Sequence, residues 1–582
     1  MSEVSLQLLR PVHGGYCLAR RGGQTYMVRF GLPGEQVKAV PVAKKGKVIF
    51  AEVNEVLETS PQRQVPVWEL GGPEGTGGAD LCHVKQPFQR IWKAQVLADC
   101  LRRLGGEEVY AQALAASGGE LSCNGVSSGS ADANNQDVDS AAAAAGGEDA
   151  DNASGEDGLG YRLRADFEVS RARRLAMTKF RGEELVEVAS FPLADPMISE
   201  SSIFSNPASW SQVFTPGGRI RAWASANGLR VWNGRGLYDE SAQPVAEKNV
   251  RLAVAGFGDY LVTPSGFWQA HRQAARLLGE QVMAAATSDF GLDSGVSTAQ
   301  GERLGDPLNG AADGSVEASE RSEADSSSDR LLIPGDRRWE EILELYSGAG
   351  LFSRPLANIL DRGGRLTTLE GSKPAVKMAR KNLSGAPGRL QIRSGRVDAR
   401  ALAGYGGKMK TPPPVVMDPP RSGAGQSVMA ALTRLEPERI LYVACDPAAL
   451  ARDLKVAVSR GYQIASLQAY DLFPHTHHVE TVALLSHQKL TEYVQIPYEP
   501  EDKTAHAFRD ATYKEIKDWI KKVFDMKVSS LYIAQIKDEC GLEKRQNYNK
   551  SKKENAKVPT CPKEKRKAIL AALRHFQMID NE

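Results

Sequence analysis

Residues 441–454 read LYVACDPAALARDL, which sets Cys445 after an apolar run and before Asp446 and Pro447. A cysteine there is either a small buried hydrophobe at a strand end or a nucleophile at the mouth of a pocket. As a thiolate it can add to an electron-poor carbon and divide one difficult step into easier ones. In HHVETVALL, Glu480 is flanked by the apolar Val479 and Val482. Such a setting raises a carboxyl pKa toward that of a useful base. The plainer alternative is an edge-strand charge facing water. His475, His477 and His478 come just before it. No carboxylate or cysteine pattern completes a ligand set there, so no metal is expected. These histidines are expected to line the bound substrate or to support a loop.

A second group of residues reads as a nucleoside pocket. In LELYSGAGLFS, Gly348 and Gly350 follow an apolar strand and allow a tight turn with close ligand approach. The next strand, RLTTLEGS, ends in Glu370. A carboxylate at that tip can accept hydrogen bonds from both ribose hydroxyls, or can serve as a helix N-terminal acid. The full G-x-G-x-x-G of dinucleotide sites is missing. A nucleoside without a pyrophosphate, such as S-adenosylmethionine, suits the pattern better. In VVMDPPRSGAG, Asp418 ends a buried strand and two prolines stop it. The result is a rigid rim at the carboxyl edge of a sheet, where open α/β folds place ligands. Arg421 on that rim can reach a phosphate or carboxylate.

These residues need a scaffold. From 331 to 487 apolar strands alternate with helical patterns, which implies βαβ units and a mostly parallel sheet covered on both faces. Residues 1–60 hold short β-branched and aromatic runs between glycine-rich turns, the pattern of a small oligonucleotide-binding barrel. Residues 85–104 have helical spacing. From Ser117 to Gly160 there is no lysine or arginine, and residues 287–329 are similarly rich in Gly, Ala, Ser, Asp and Glu, with Arg303 and Arg321 as their basic residues. Both stretches read as disordered insertions. Between them, residues 161–286 suggest strands followed by a long helix starting near Gln269. Residues 489–582 carry 20 Lys and Arg against 15 Asp and Glu. They read as helix, turn, helix, with QNYNKSKKENAK as a basic wing. That composition suits a nucleic-acid-binding appendage or, more plainly, a solvated basic cap.

A chain of 582 residues implies three or four domains. Its net charge of +2 favours no partner overall. No stretch has the ~18 unbroken apolar residues of a membrane span, and the N-terminus lacks a signal-peptide pattern. A cytoplasmic location is expected. Seven scattered cysteines without a C-x-x-C argue against disulfides or a structural zinc.

Taken in order and spacing, LYSGAG, VVMDPPRSG, LYVACDPAALARDL and DLFPHTHHVETVALL resemble the RNA 5-methyluridine methyltransferases. That family uses S-adenosylmethionine on uracils of tRNA or 23S rRNA, and the likeness spans roughly residues 1–487. The N-terminal barrel resembles the TRAM domain of the 23S rRNA branch. The resemblance implies a Rossmann-like α/β methyltransferase domain over 330–487 and a TRAM-like OB barrel over 1–60. It also implies an iron–sulfur-region segment and helix over 61–116 and a central α+β region over 161–286. A helical, winged-helix-like appendage over 489–582 lies outside it. By the same resemblance Cys445 is the nucleophile that adds to C6 of uracil, and Glu480 is the base that removes the C5 proton. Gln269, Tyr346, Glu370, Asp418 and, through a looser motif, Asp398 match cofactor positions. Phe473 is a candidate stacker for a flipped base.

The departures are specific. TGGADLCH keeps Gly77, Gly78, Asp80, Leu81 and His83, but Thr76 and Ala79 replace cluster cysteines. Cys82 alone cannot rebuild a four-thiolate site, so no iron–sulfur cluster is expected. The family's S-C-N-P is Ala444-Cys445-Asp446-Pro447, and the added carboxylate should disfavour the thiolate. The asparagine two residues past the cofactor glutamine is His271 here. The expected substrate is a uridine in 23S rRNA, with tRNA as the alternative. An amino-group methyltransferase built on Asp418-Pro419-Pro420, or a non-catalytic RNA-binding protein, are the competing classes.

Overall fold

The computed structural model describes residues 2–73, 75–126, 157–180, 182–288, 337–405, 412–487, 513–524, 526–540 and 561–575. The chain opens with a closed barrel of β1 (Val4–Val12), β2 (Tyr16–Arg21), β3 (Gln24–Arg29), β4 (Gln36–Lys45) and β5 (Val48–Glu58). Closure comes from β1, which pairs with β2 on one side and β4 on the other. Alternating side chains fill the interior, among them Leu6, Leu8, Val28, Val37 and Ala51. Two helices follow, α1 (Gln86–Cys100) and α2 (Glu107–Ala116), and then the short β6 (Cys123–Gly125).

The central region is a six-stranded antiparallel sheet. It is built from β7 (Arg164–Val169), β8 (Leu175–Thr178), β9 (Leu185–Glu187), β10 (Arg219–Ser225), β11 (Gly228–Trp232) and β12 (Leu237–Tyr238). Two single-turn helices, α3 (Pro196–Ser199) and α4 (Ser202–Ser205), help close its core around Trp210 and Phe214. A hairpin, β13 (Val250–Val254) and β14 (Gly258–Val262), leads to α5 (Ala274–Thr287). This helix starts later than its sequence pattern suggested: Gln269 sits in the loop before it, not on its first turn.

The largest sheet has eight strands in the order β17-β16-β15-β18-β19-β21-β20-β6. In chain order they are β15 (Trp339–Leu345), α6 (Ser353–Ala357), β16 (Leu360–Glu370), α7 (Lys373–Asn382), β17 (Arg389–Ser394) and α8 (Ala399–Ala403). Then come β18 (Val415–Met417), α9 (Gln426–Thr433), β19 (Arg439–Ala444), α10 (Pro447–Val458), β20 (Gln463–Asp471) and β21 (Glu480–Ser486). Strands β15 to β19 run parallel, and β21 inserts antiparallel between β19 and β20. Helices cover both faces and enclose two apolar clusters, as a parallel sheet requires.

The expected insertion over 117–160 is too broad. Cys123–Gly125 pairs parallel with Ala469–Asp471 and supplies the eighth strand, with Cys123 fully buried. Three residues escaped detection because a strand this short has no readable period and its partner lies far along the chain. After the sheet, α11 (Tyr513–Phe524), α12 (Ser530–Glu539) and α13 (Lys563–His575) pack around Ile516, Ile520, Ile533, Ile569 and Leu573. The segment read as a basic wing lies outside the described residues. Among the described residues, no helix is long and apolar enough to cross a membrane.

One buried ion pair ties the layers together. Lys93 of α1 and Asp471 at the end of β20 are both fully buried and bonded to each other. Lys93 Nζ also donates to the carbonyl of Phe473 at 2.9 Å. The tie fixes the start of the loop that leads to Glu480. Removing one partner strands a charge in the interior, so Lys93→Met is expected to cost about 3–5 kcal/mol in denaturant unfolding. Lys93→Met with Asp471→Leu should recover most of that loss. An unchanged unfolding midpoint in the single variant would show that the pair contributes nothing.

Candidate active site

Strand register gathers the site. Leu345 pairs with Leu369 and with Met417, so the next residues, Tyr346, Glu370 and Asp418, stand level at the carboxyl edge. Ala444 pairs with Thr481 across an antiparallel ladder, so one more step sets Cys445 opposite Glu480. A cavity of about 960 Å³ opens at this edge. Its wall includes Gln269, Tyr346, Gly348, Glu370, Asp418, Cys445, Glu480, Arg421 and Phe473. The expected nucleophile, base, stacker and most expected cofactor residues thus share one pocket.

Two expected residues lie elsewhere. Asp398 is turned to the start of α8, where Oδ1 accepts the Ala401 N–H at 2.8 Å. The pocket wall there is Arg396 and Val397 instead. Gly350 faces Ala379 and Leu383 of α7 and its neighbourhood, where a Cβ would make ordinary contact. It serves the packing of the turn, not the cavity. The fingerprint reading could not separate these roles, because both glycines and both carboxylates have the right spacing.

The first turn is shaped by backbone constraint. Tyr346 has φ +60, an uncommon region for a side-chain-bearing residue, and its N–H donates to Leu369 O at 2.8 Å. Gly348 has φ +55. Its N–H donates to Glu370 Oε2 at 2.9 Å, while Ser372 N–H donates to Oε1 at 2.6 Å. Glu370 therefore does what both readings allowed: it braces a helix start and still has lone pairs to offer. Ser347 Oγ is buried on the same wall with no hydrogen-bond partner.

The rim after Asp418 is held from below. Asp453 of α10 accepts from Tyr442 Oη at 2.6 Å, Ala424 N at 2.7 Å and Gly425 N at 3.1 Å. A Cβ on Gly423 would come within 2.7 Å of Asp453 Oδ2, and its φ is +80, so glycine is required there. Arg421 Nη2 donates to His478 Nε2 at 3.2 Å. The histidines form a brace, as one of the two expected roles held. His477 Nδ1 bonds Asp80 Oδ2 at 2.6 Å, and Arg29 of β3 donates to the same oxygen at 2.7 Å. His475, with φ +63, donates its N–H to Gln89 Oε1 at 2.6 Å. Sequence alone gave no sign of the bonds made by Asp453 and Arg29, and it marked Asp80 only as a retained motif residue, since its partner His477 lies 397 residues away.

The degenerate cluster motif does not fit an iron–sulfur group. Thr76 Oγ1 is bonded to Leu70 O at 3.1 Å, and Cys82 is the buried thiol of the stretch. A Cβ on neighbouring Gly71 would already meet Ala79 Cβ at 2.9 Å and Cys82 Sγ at 3.0 Å. One thiolate and packed apolar walls are the wrong donor set. His271 is buried, stacked on Tyr161 with ring centroids 5.2 Å apart, and its Nδ1 accepts the Gln273 N–H at 3.1 Å.

Three carboxylates, Glu370, Asp418 and Glu480, and four arginines, Arg162, Arg164, Arg396 and Arg421, line the pocket. Burial pushes the Cys445 thiol up to about 12, with Glu480 and Asp418 adding to the rise and Arg421 opposing it. Asp446 acts in the expected direction but is the smallest of these influences. Its carboxylate is engaged elsewhere, capping α10 through the Ala449 N–H at 2.7 Å. Burial also lifts Glu480 well above the usual carboxylate range, with Asp418 adding to it and Arg421 opposing it. Burial beside Glu370 raises Asp418 to about 7.

A thiol with a raised pKa forms thiolate only under alkaline conditions. Iodoacetamide labelling of Cys445, followed by peptide mass spectrometry, is expected to climb with pH without a plateau below about pH 10. Asp418→Asn removes one acid and should speed labelling at about pH 8. A plateau near the ordinary cysteine range would contradict the electrostatic account.

The comparisons agree with this geometry. The model of the tRNA (uracil-5-)-methyltransferase family matches residues 400–488, the stretch that carries Asp418, Cys445 and Glu480. An uncharacterised RNA methyltransferase of Bifidobacterium longum is 29% identical over 512 residues, covering 84% of this chain and 97% of its own. The 23S rRNA (uracil(1939)-C(5))-methyltransferase of Shewanella amazonensis is 26% identical over 495 residues, covering 83% of this chain and 95% of its own. Among solved structures, the Pyrococcus abyssi tRNA (uracil-54, C5)-methyltransferase in complex with S-adenosyl-L-homocysteine shares the fold. Its TM-score is 0.50 at 18% identity, covering 82% of this chain and all of that one. Its sheet, its pocket and these matches agree: the chain is similar to RNA methyltransferases over most of its length, and residues 400–488 match the tRNA (uracil-5-)-methyltransferase family.

Proposed function

We propose that the pocket transfers a methyl group from S-adenosylmethionine to C5 of a uridine in structured RNA, with Cys445 as nucleophile and Glu480 as base. The observation that carries this reading is the antiparallel register that sets Cys445 opposite Glu480 in one cavity. Gln269, Tyr346, Gly348, Glu370 and Asp418 would hold the cofactor. The partnerless Ser347 Oγ and the acidic wall suit a cationic nucleoside with hydroxyl groups. The cofactor supplies an electrophilic methyl on a positively charged sulfur.

C5 of uracil is a poor nucleophile toward such a methyl group. The Cys445 thiolate adds to C6, and the electron pair of the C5–C6 double bond moves to give C5 carbanion character. C5 then takes the methyl group, whose bond to the cofactor's sulfur would break with both electrons left on sulfur to give the neutral thioether, and C5 still bears its proton. The Glu480 carboxylate removes that proton, the C5–C6 double bond re-forms, and the thiolate leaves C6. The raised pKa of Glu480 makes it a stronger base for this step. Arg421 offsets the mutual repulsion of Cys445 and Glu480 when both are ionised. Phe473, on the cavity wall, offers a ring face to a base taken out of its stack.

The favoured substrate is 23S rRNA, acted on in the cytoplasm. The N-terminal barrel, of the kind resembling TRAM, and the end-to-end likeness to a 23S rRNA methyltransferase support it. tRNA is the alternative, after the substrate of the solved neighbour.

RNA containing 5-fluorouridine distinguishes these readings, because fluorine cannot leave C5 as a proton. Incubated with S-adenosylmethionine, the full chain is expected to form a covalent adduct mapping to Cys445 on a 23S rRNA transcript. Cys445→Ala should form none. Glu480→Gln should trap adduct even on ordinary uridine. Methylation at full rate by Cys445→Ala would overturn the mechanism in favour of amino-group transfer, and adduct on tRNA alone would move the substrate. Deleting residues 489–582 should weaken RNA binding and flatten its salt dependence by removing phosphate contacts. An unchanged slope would assign that appendage another task.

A further inference from the structure

The turn between β1 and β2 is wedged between the cap of α10 that follows Cys445 and the loop that precedes Glu480. On one side His13 Nε2 lies 2.9 Å from Asp446 Oδ2, next to Cys445 in sequence. On the other side Gly15 is pressed onto Asp80 and His477. A Cβ there would meet Asp80 Oδ2 at 2.3 Å and His477 Cβ at 3.3 Å. The two Asp446 oxygens have separate tasks. Oδ1 caps α10 through Ala449, as an asparagine would, while Oδ2 holds the barrel. Only a carboxylate gives that second bond a charge to pair with an imidazolium.

We propose that His13 is a positioning residue for methyl transfer: its imidazolium neutralises Asp446, so that the docked barrel removes a negative charge from beside Cys445. This rests on the reading of Cys445 as nucleophile. Other groups face the same spot. Arg452 of α10 also favours the charged Asp446, and its effect adds to that of His13. Cys100 of α1 lies close enough to feel Asp446. Asp99 is occupied by Arg10 at 3.0 Å and by Arg103 at 3.7 Å. Burial alone would raise the Asp446 carboxyl, but the His13 and Ala449 bonds outweigh it and hold it below its ordinary value. Asp446 therefore stays ionised through the range, about pH 5 to 8, in which an imidazole changes charge.

The test uses the full chain and two readouts, iodoacetamide labelling of Cys445 across pH and single-turnover methylation of 23S rRNA and tRNA transcripts. His13→Ala and His13→Gln should each slow labelling by about three- to tenfold near neutrality and move its pH dependence to the alkaline side. Gln keeps a hydrogen-bond donor without the charge, and His13→Lys should restore the rate. The methylation rate should fall with the RNA KM unchanged. In an Asp446→Asn background, His13→Ala should change nothing further. Wild-type labelling in His13→Ala, or an equal loss in both backgrounds, would overturn the proposal, the latter placing His13 in RNA contact. Full methylation by Cys445→Ala would instead sink the nucleophile reading, a separate outcome visible in the same assay.

Discussion

The pairing of β21 against β19 is the constraint on which the rest depends. Side chains alternate faces along a strand, so a slip by one residue would turn Glu480 away from Cys445. The register is secured where the chain is most buried: every residue of β19 and β21 is inaccessible to solvent. Asp471 and Lys93 fix the point at which the chain leaves β20, and His475 and His477 fix the loop that returns it. The placement of one carboxylate thus draws on the barrel, α1 and the sheet together.

That placement has an electrostatic cost. Glu344, Glu370, Asp418 and Glu480 converge near one cavity, and burial raises Glu344 to about 8 as well. Four carboxyls in a low-dielectric site cannot all ionise without a compensating charge. Arg421 supplies part of that charge from the protein itself, and a positively charged ligand beside Asp418 and Glu370 would supply more.

Much of this was legible in the sequence, and the limits follow a physical rule. Strands β15 to β19 announce themselves as apolar runs followed by glycine or proline, so the edge that holds Tyr346, Glu370, Asp418 and Cys445 could be read residue by residue. Local signals carry that information. Asp398 and Gly350 were assigned to the pocket because spacing alone does not tell a helix cap or a packing glycine from a ligand contact. Cys123–Gly125 was taken for insertion because pairing with β20 is a long-range fact. The bonds of Asp80 to His477 and of His13 to Asp446 were invisible for the same reason. Composition and period describe neighbours along the chain, while these side chains act between distant segments.

The anchoring of α5 has a further consequence. Arg439, at the buried base of β19, donates to the carbonyls of Ala285, Ala286 and Ser288 at the end of that helix. The loop carrying Gln269 precedes α5, and Cys445 follows β19. The elements that lead to two walls of the cavity are therefore tied together at their far ends. If the pocket acts as proposed, the substrate must bring its base to these walls, and a uridine in a loose loop would do so at less cost than one locked in a helix. Selectivity would then draw on the mechanics of the substrate as well as on the protein's side chains.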